Sequence, residues 1–358
     1  MSANAIGLFP RGVLAALLAA LLFGAGTPAA KVLLGETGPW LLAALLYLGS
    51  GVGLAGWRLL RGAAPVRLAR GEWPWLAGAI LAGGVVGPVL LLSGLAGLAA
   101  STASLLLNAE GVFTALLAWT VFRENVDRRV ALGMAAIVAG GLVLSWPGQL
   151  GPVAWLPALA VVGACAAWAL DNNLTRKVSL TDASWIAMVK GLAAGTTNLV
   201  LALALGAHWP APSVAAAAAL LGFASYGASL MLFVVALREL GTGRTGAYFS
   251  VAPFFGALLA ILLLGDAVTP QLLAAGVLMA IGVALHLSER HQHPHRHELM
   301  THGHAHVHGA GDEHHDHVHN PPVPAGTQHA HLHEHGQLEH SHPHFPDAHH
   351  RHGHSHGS

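Results

Sequence analysis

"LLLNAEGVFTALLAWTVFREN", residues 105–125, is apolar enough to cross a bilayer, yet it holds a carboxylic acid, Glu110, close to its centre. A span needs about 20 mainly apolar residues. A charged side chain at mid-membrane costs on the order of 3 kcal/mol on insertion scales, so a position that keeps one needs a reason. The rest of the chain shares this character. Hydrophobic residues make up 54% of its 358 positions and charged residues 9%, far below the roughly 25% charged residues of a typical soluble chain. Mean hydropathy is +0.56. The formal net charge is zero with histidine neutral, which leaves no basic arm for nucleic acid. A single cysteine, Cys165, excludes a disulfide framework and a multi-cysteine metal site within one chain.

Outward from residues 105–125, the chain before residue 290 divides into ten apolar stretches, near 11–33, 38–60, 73–95, 98–122, 129–146, 153–175, 183–206, 214–237, 243–264 and 270–288. The connections, such as "WPGQLGP" and "HWPAP", are too short to be domains. Positive charge alternates with the spans. Arg58, Arg61, Arg67 and Arg70 follow the second, Arg123, Arg128 and Arg129 the fourth, Arg176 and Lys177 the sixth, and Arg238 and Arg244 flank the break after the eighth. With Arg11 and Arg290 they fall on one side, whereas the opposite loops carry none, so the expected protein is multi-pass in the cell membrane with both termini cytoplasmic. Arg11 followed by "GVLAALLAALLFGAGTPAA" also fits a secretory signal. Its matching partner later in the chain favours a span.

That partner belongs to an internal repeat. Sliding the chain by 142 residues sets "LLNAEGVFTALLAWTVFRENV" over "YFSVAPFFGALLAILLLGDAV", aligning Phe113 with Phe255, "ALLA" at 115–118 with "ALLA" at 257–260, and Glu124 with Asp266. At a slightly different offset "FGAGTPAAK" lies beside "WALDNNLTR". Five spans per copy is an odd number, so the second copy must run inverted through the membrane, an arrangement found in many secondary transporters. The fold class expected is an all-α integral membrane protein of ten transmembrane helices: one five-helix repeat over 1–149, a second over 150–290, and a tail over 291–358.

These residues resemble the drug/metabolite transporter superfamily, and more closely its EamA branch, over roughly 11–288. "NAEGVFTALLAWTVFRENV" and "VAPFFGALLAILLLGDAV" look like the duplicated fourth and ninth helices of that family, and "FGAGTPAAK" like its first. The resemblance implies an export-biased carrier that hydrolyses no ATP, is often proton-coupled, and needs no cofactor for transport. Gly111 replaces the proline common in the first copy, while Pro253 keeps it in the second. Family members move amino acids, nucleotide precursors, drugs and other metabolites, so substrate stays open.

Polar residues inside spans are the candidate translocation residues. At helical spacing Glu110 shares a face with Ala103, Leu107 and Thr114, while Ser101, Ser104, Asn108, Gly111 and Ala115 form an adjoining small, polar stripe that faces protein. Desolvation favours a neutral carboxyl group and a nearby cation favours the anion, so an acid poised between the two can exchange a proton for substrate. Lys31, near the end of the first span, is a natural partner for Glu110 or a snorkelling cation. Lys190 fits snorkelling better than function. Asp171, Asn172 and Asn173 line an inner vestibule or a solvated helix end, and Tyr226 and Tyr248 fit a cavity or packing equally. Glu124 and Asp266 are expected to fix helix ends. Pro28, Pro88 and Pro253 mark candidate bends.

From residue 291 the chain becomes "HQHPHRHELMTHGHAHVHGAGDEHHDHVHN" and "QHAHLHEHGQLEHSHPHFPDAHHRHGHSHGS", holding every histidine except His208 and His286. With no apolar periodicity to build a core, it is expected to be disordered. Imidazole suits Zn, Ni, Co and Cu, and the expected ligands are His302, His304, His306, His308, His314, His315, His317, His319, His329, His331, His333 and His335. The expected partners are the bilayer, a small solute, divalent ions at the tail and, in a homodimer, a second copy of the chain. Three functions stay open: an EamA-type metabolite or drug exporter, a divalent-metal exporter fed by the tail, and a metal-responsive membrane sensor that transports nothing. Enzyme activity is not expected, because no nucleophile and base pair or phosphate-binding glycine loop occurs in a suitable context.

Overall fold

The computed structural model describes residues 11–120, 128–144, 155–178, 181–240 and 248–287, and in the tail 294–296, 300–307, 328–335 and 339–341. It divides into two compact units, Met1–Glu289 and Arg290–Ser358. Among the described residues all regular secondary structure of the first unit is helical. Its helices are α1 (Arg11–Leu33), α2 (Pro39–Leu60), α3 (Trp73–Ala79, Ile80–Val86 and Gly87–Gly97 in one run), α4 (Ala100–Leu106), α5 (Ala109–Thr120), α6 (Arg128–Leu144), α7 (Trp155–Thr175), α8 (Ala183–Ala204), α9 (Pro212–Gly222, Phe223–Ala228 and Ser229–Leu240), α10 (Ala252–Leu259 with Ala260–Leu264) and α11 (Pro270–Leu287).

Six helical stretches are long and apolar enough to cross a membrane: Arg11–Leu33, Pro39–Leu60, Arg70–Gly97, Trp155–Thr175, Ala183–Ala204 and Pro212–Phe233. Ala131–Leu144, Ala252–Leu264 and Pro270–Leu285 are shorter apolar helices. The stretch read from sequence as one span over 98–122 is broken at Leu107 and Asn108 into α4 and α5. The asparagine side chain bonds back to the Leu105 carbonyl at 2.9 Å, and such local bonds compete with the helical ladder.

Local chemistry sets the helix ends. Pro39 opens α2 and Pro212 opens α9, where a missing N–H costs nothing. Pro253 likewise falls in the first turn of α10, so it starts a helix rather than bending one. Asp182 caps α8 by accepting the Trp185 amide at 3.0 Å. Gly265, at φ +71°, closes α10 in the left-handed conformation.

Packing joins the early helices to the late ones. α2 lies against α8 and α9, α6 against α11, α3 against α7, α1 against α9 and α10, and α5 against α7. Small residues permit this. A Cβ on Gly51 would stand 2.6 Å from the Leu192 amide, and one on Gly195 the same distance from the Leu48 amide, so α2 and α8 meet backbone to backbone. The buried face of α1 is built from Ala15, Ala16, Ala19, Ala20, Gly24 and Gly26. Large side chains do the reverse: Leu60, Leu220 and Leu263 are among the most exposed, the distribution expected of a protein whose solvent is lipid.

Two irregularities recur. α3 widens into a π-helix at Ile80–Val86 and α9 at Phe223–Ala228. The chain turns at Leu107 and Asn108 before α5, and again at Ser250 and Val251 before α10. Each pair is separated by the same interval (80 to 223, 107 to 250).

The second unit is described only in part. Its described residues form two antiparallel two-stranded ladders, Pro294–Arg296 with Glu339–Ser341 and Met300–Val307 with Gln328–His335. The alternation of His with another residue has a period of two, which is the strand period.

Candidate functional site

The site grows from one proline. Pro88 has no N–H to give to the preceding turn, so carbonyl groups there lose their helical donor. The helix widens over Ile80–Val86 just before it, a common response to such a defect. Three neighbouring helices answer the freed carbonyls. The Tyr47 hydroxyl of α2 donates to the Gly83 carbonyl at 2.7 Å, and the Trp168 indole of α7 donates to the same oxygen at 2.9 Å. The Asn198 amide of α8 donates to the Gly84 carbonyl at 2.9 Å. All three donors are buried, so these bonds replace water that the membrane cannot supply.

Asp171 of α7 packs against Gly83, where any Cβ would collide with its carboxylate. That carboxylate receives the Lys190 ammonium of α8 at 2.6 and 2.7 Å, and the Thr175 hydroxyl at 2.8 Å. The side chains are 9% and 17% exposed, so Lys190 is a paired intramembrane cation, not the snorkelling one expected.

The next residue on α7, Asn172, faces another way. Its amide donates to Glu110 Oε1 at 2.7 Å. Glu110 sits in the first turn of α5, immediately after the break, with its own N–H on the Leu107 carbonyl at 3.1 Å. Its carboxylate therefore lies at the positive end of a half-helix, the arrangement that discontinuous transporter helices use around their sites. Asn108 closes the break from one side and also approaches Met279 Sδ at 3.9 Å. Cys165 of α7 closes it from the other, its thiol 3.6 Å from the Leu106 carbonyl. Thr114 follows one turn beyond Glu110, half-buried.

The π-helix of α9 reaches the same region through aromatics. Tyr226 packs on Tyr47 at 5.3 Å between ring centroids and on Phe23 of α1 at 6.1 Å. Tyr47 thus touches both widened turns, one by its hydroxyl and one by its ring.

Other sequence-selected residues fall elsewhere. Lys31 does not pair with Glu110; its ammonium goes to the Leu95 and Ala96 carbonyls at 2.6 and 3.2 Å, capping the last turn of α3 as a cation at a helix C-terminus. Pro28 is buried inside α1. Tyr248 is exposed. Asp266 accepts the Ser101 amide at 2.8 Å, at the start of α4, while Glu124 lies outside the described residues. So do His308, His314, His315, His317 and His319; His302, His304, His306, His329, His331, His333 and His335 lie on the paired strands. Within the described residues no three His, Cys, Asp or Glu side chains are placed to hold a metal ion.

Sequence reading missed Tyr47, Trp168 and Asn198. A signal existed for the first: with three tyrosines in the chain, one inside an apolar span must find a partner for its hydroxyl. Which partner depends on where α3 loses a donor, and Pro88 marks that place.

Comparison with known proteins agrees with this architecture. The sequence profile of the EamA-like transporter family matches twice, over residues 10–146 and 155–288. A protein of Methanothermobacter thermautotrophicus (strain ATCC 29096 / DSM 1053 / JCM 10044 / NBRC 100330 / Delta H) named "Uncharacterized transporter" is 29% identical over 290 residues, covering 76% of this chain and 84% of that one. A solved structure described only as "Crystal structure of protein" shares the fold, with a TM-score of 0.59 at 20% identity over 76% of this chain and 94% of that chain. The protein is a multi-pass membrane transporter and belongs to the EamA-like transporter family.

Proposed function

We propose that the protein is a secondary carrier that exports a small metabolite or drug-like solute by alternating access, with Glu110 as the group that exchanges a proton for cargo. The observation that carries this reading is the Asn172 bond to Glu110 Oε1 at 2.7 Å, on a half-helix that begins inside the membrane unit. A neutral amide is a weak and replaceable partner for a carboxylate, which suits a group that must change partners during a cycle. Asp171, by contrast, is committed to Lys190 and serves to hold α7 against α8.

The two family matches, the recurring π-helices and the recurring breaks support two inverted repeats of five helices, within 1–149 and 150–290, that rock about this region. The clustering of Arg and Lys on alternate connections supports cytoplasmic termini in the cell membrane. A transition-metal cargo has less support. Glu110 and Asn172 supply no set of soft or imidazole ligands.

The test is transport into inside-out vesicles, with and without an imposed pH gradient, offering a metabolite panel beside Zn, Ni and Co. Gradient-driven metabolite uptake that disappears in Glu110→Gln is the expected result. Uptake of the metals alone, or gradient-driven uptake undiminished in Glu110→Gln, would refute the assignment. No uptake of any kind would favour the sensor reading.

A further inference from the structure

From the last turn of α2 to the start of α3 the chain carries Arg58, Arg61, Arg67 and Arg70 against one acid, Glu72. A loose basic loop would serve orientation alone, but this one is pinned at three points. The Arg58 guanidinium, paired with Asp182 at 2.9 Å, also donates to the Ala64 carbonyl at 3.0 Å. Leu68 packs against Leu76, Val178 and Ile186. The Ala69 amide donates to Glu72 Oε2 at 3.0 Å, which closes the short turn Arg70–Glu72. Arg58 and Glu72 are thus committed within the protein. With Leu68 turned in, Arg67 and Arg70 are left exposed on either side of it.

The remaining cations of this surface lie among tryptophans. Arg61 stands over Trp57, its guanidinium carbon 4.4 Å from the ring centroid, and the Lys177 ammonium, just past α7, stands over Trp75 at 5.8 Å. Trp57, Trp73 and Trp75 are exposed, and so are Leu59 and Leu60 beside Arg61. Tryptophan at such positions marks the boundary between acyl chains and headgroups. A guanidinium stacked on a ring still offers its N–H edge, which suits two parallel bonds to phosphate oxygens. We propose that this ordered connection is a docking surface for an anionic phospholipid, its phosphate held among Arg61, Arg67 and Arg70 with Lys177 beside them, and its acyl chains covering Leu59, Leu60 and Trp57. A dissolved anion would answer the charge but leave the leucines and tryptophans uncovered. A zwitterionic lipid would cover them but bring a cation of its own against the arginines. The surface holds lipid whether or not the membrane unit moves a solute through Glu110.

The experiment uses the full chain, purified in detergent and titrated separately with phosphatidylglycerol and phosphatidylcholine of the same acyl chains, bound lipid being counted by native mass spectrometry. R61Q/R67Q/R70Q is compared with R128Q/R238Q/R244Q, which removes three arginines from other connections on the same side. Each basic residue at an anionic headgroup layer strengthens attraction about fivefold, so at low salt the first variant should lose phosphatidylglycerol affinity on the order of 100-fold while the second keeps it. The substituted side chains of the first are exposed, and its melting temperature in lipid-free detergent should match that of wild type. Equal affinity of the wild type for the two lipids, an equal loss in the two variants, or a loss in the first below about fivefold, the effect of a single residue, would overturn the proposal. Inorganic phosphate that displaces the lipid better than chloride at matched ionic strength would overturn it too, by making this a site for a free anion.

Discussion

Replacing Lys190 by methionine removes an ammonium while keeping most of its apolar stem. In the structure that ammonium lies 2.6 and 2.7 Å from the two oxygens of Asp171 and 3.2 Å from the Thr175 hydroxyl. Asp171 is 9% exposed and wedged against Gly83, so its carboxylate has little access to water once the partner is gone. Breaking a buried pair from one side costs about 3–5 kcal/mol, because the other charge is stranded. Each kcal/mol moves the melting temperature of a domain of 150–250 residues by about 2–4 °C, so Lys190→Met should melt roughly 6–20 °C lower. The assay is thermal unfolding of purified protein in one detergent at one scan rate, since large proteins often unfold irreversibly. The double variant Asp171→Asn/Lys190→Met strands no charge and should recover most of the loss. A shift under about 2 °C in Lys190→Met would show that the pair contributes no more than an exposed one, about 0–1 kcal/mol, and the account of the site around it would fail. A double variant as unstable as the sum of its singles would refute it as well.

Glu110→Gln keeps the size of the side chain and a group able to bond Asn172, so it should fold and reach the membrane yet lose gradient-driven export, measured in the vesicle assay against expression-matched wild type. Tyr47→Phe and Trp168→Phe each remove one of the two donors on the Gly83 carbonyl; each should cost about 1 kcal/mol, and the double variant more than the sum, because only then is a buried carbonyl orphaned. A strictly additive result in thermal denaturation would contradict the shared acceptor. Asp182 lies outside the spans and titrates below its ordinary value of 3.8: partial burial opposes its charge, but the Ser184 hydroxyl, the Trp185 amide and the Arg58 guanidinium outweigh it. Such a group stabilises the fold above its ordinary value and loses that contribution as pH falls through the depressed one. Asp182→Asn should therefore be less stable than wild type by up to about 1 kcal/mol at neutral pH, a small effect because the side chain is 43% exposed. The gap should close on acidification below about pH 4, and a gap unchanged at pH 3 would argue against the charged bond to Arg58.

Much of this protein is legible in one dimension. Hydrophobicity and length name a membrane protein, because each span must satisfy its own backbone in lipid whatever its neighbours are. Glu110 stands out for the same local reason, and so do Pro88, which cannot donate, and the small residues that let helices approach. The family resemblance adds its weight through contiguous motifs at 108–126 and 251–268. Only the tertiary structure decides the partnerships. Lys31 and Lys190 look alike as isolated cations near span ends, yet one caps the α3 carbonyls at Leu95 and Ala96 and the other pairs with Asp171. Tyr47 gains its role from a carbonyl 36 residues away, and Glu110 its partner from a helix 62 residues away. A buried polar atom must find its complement within about 3 Å, and which atoms come that close is fixed by how separate helices pack, a property that no single segment carries.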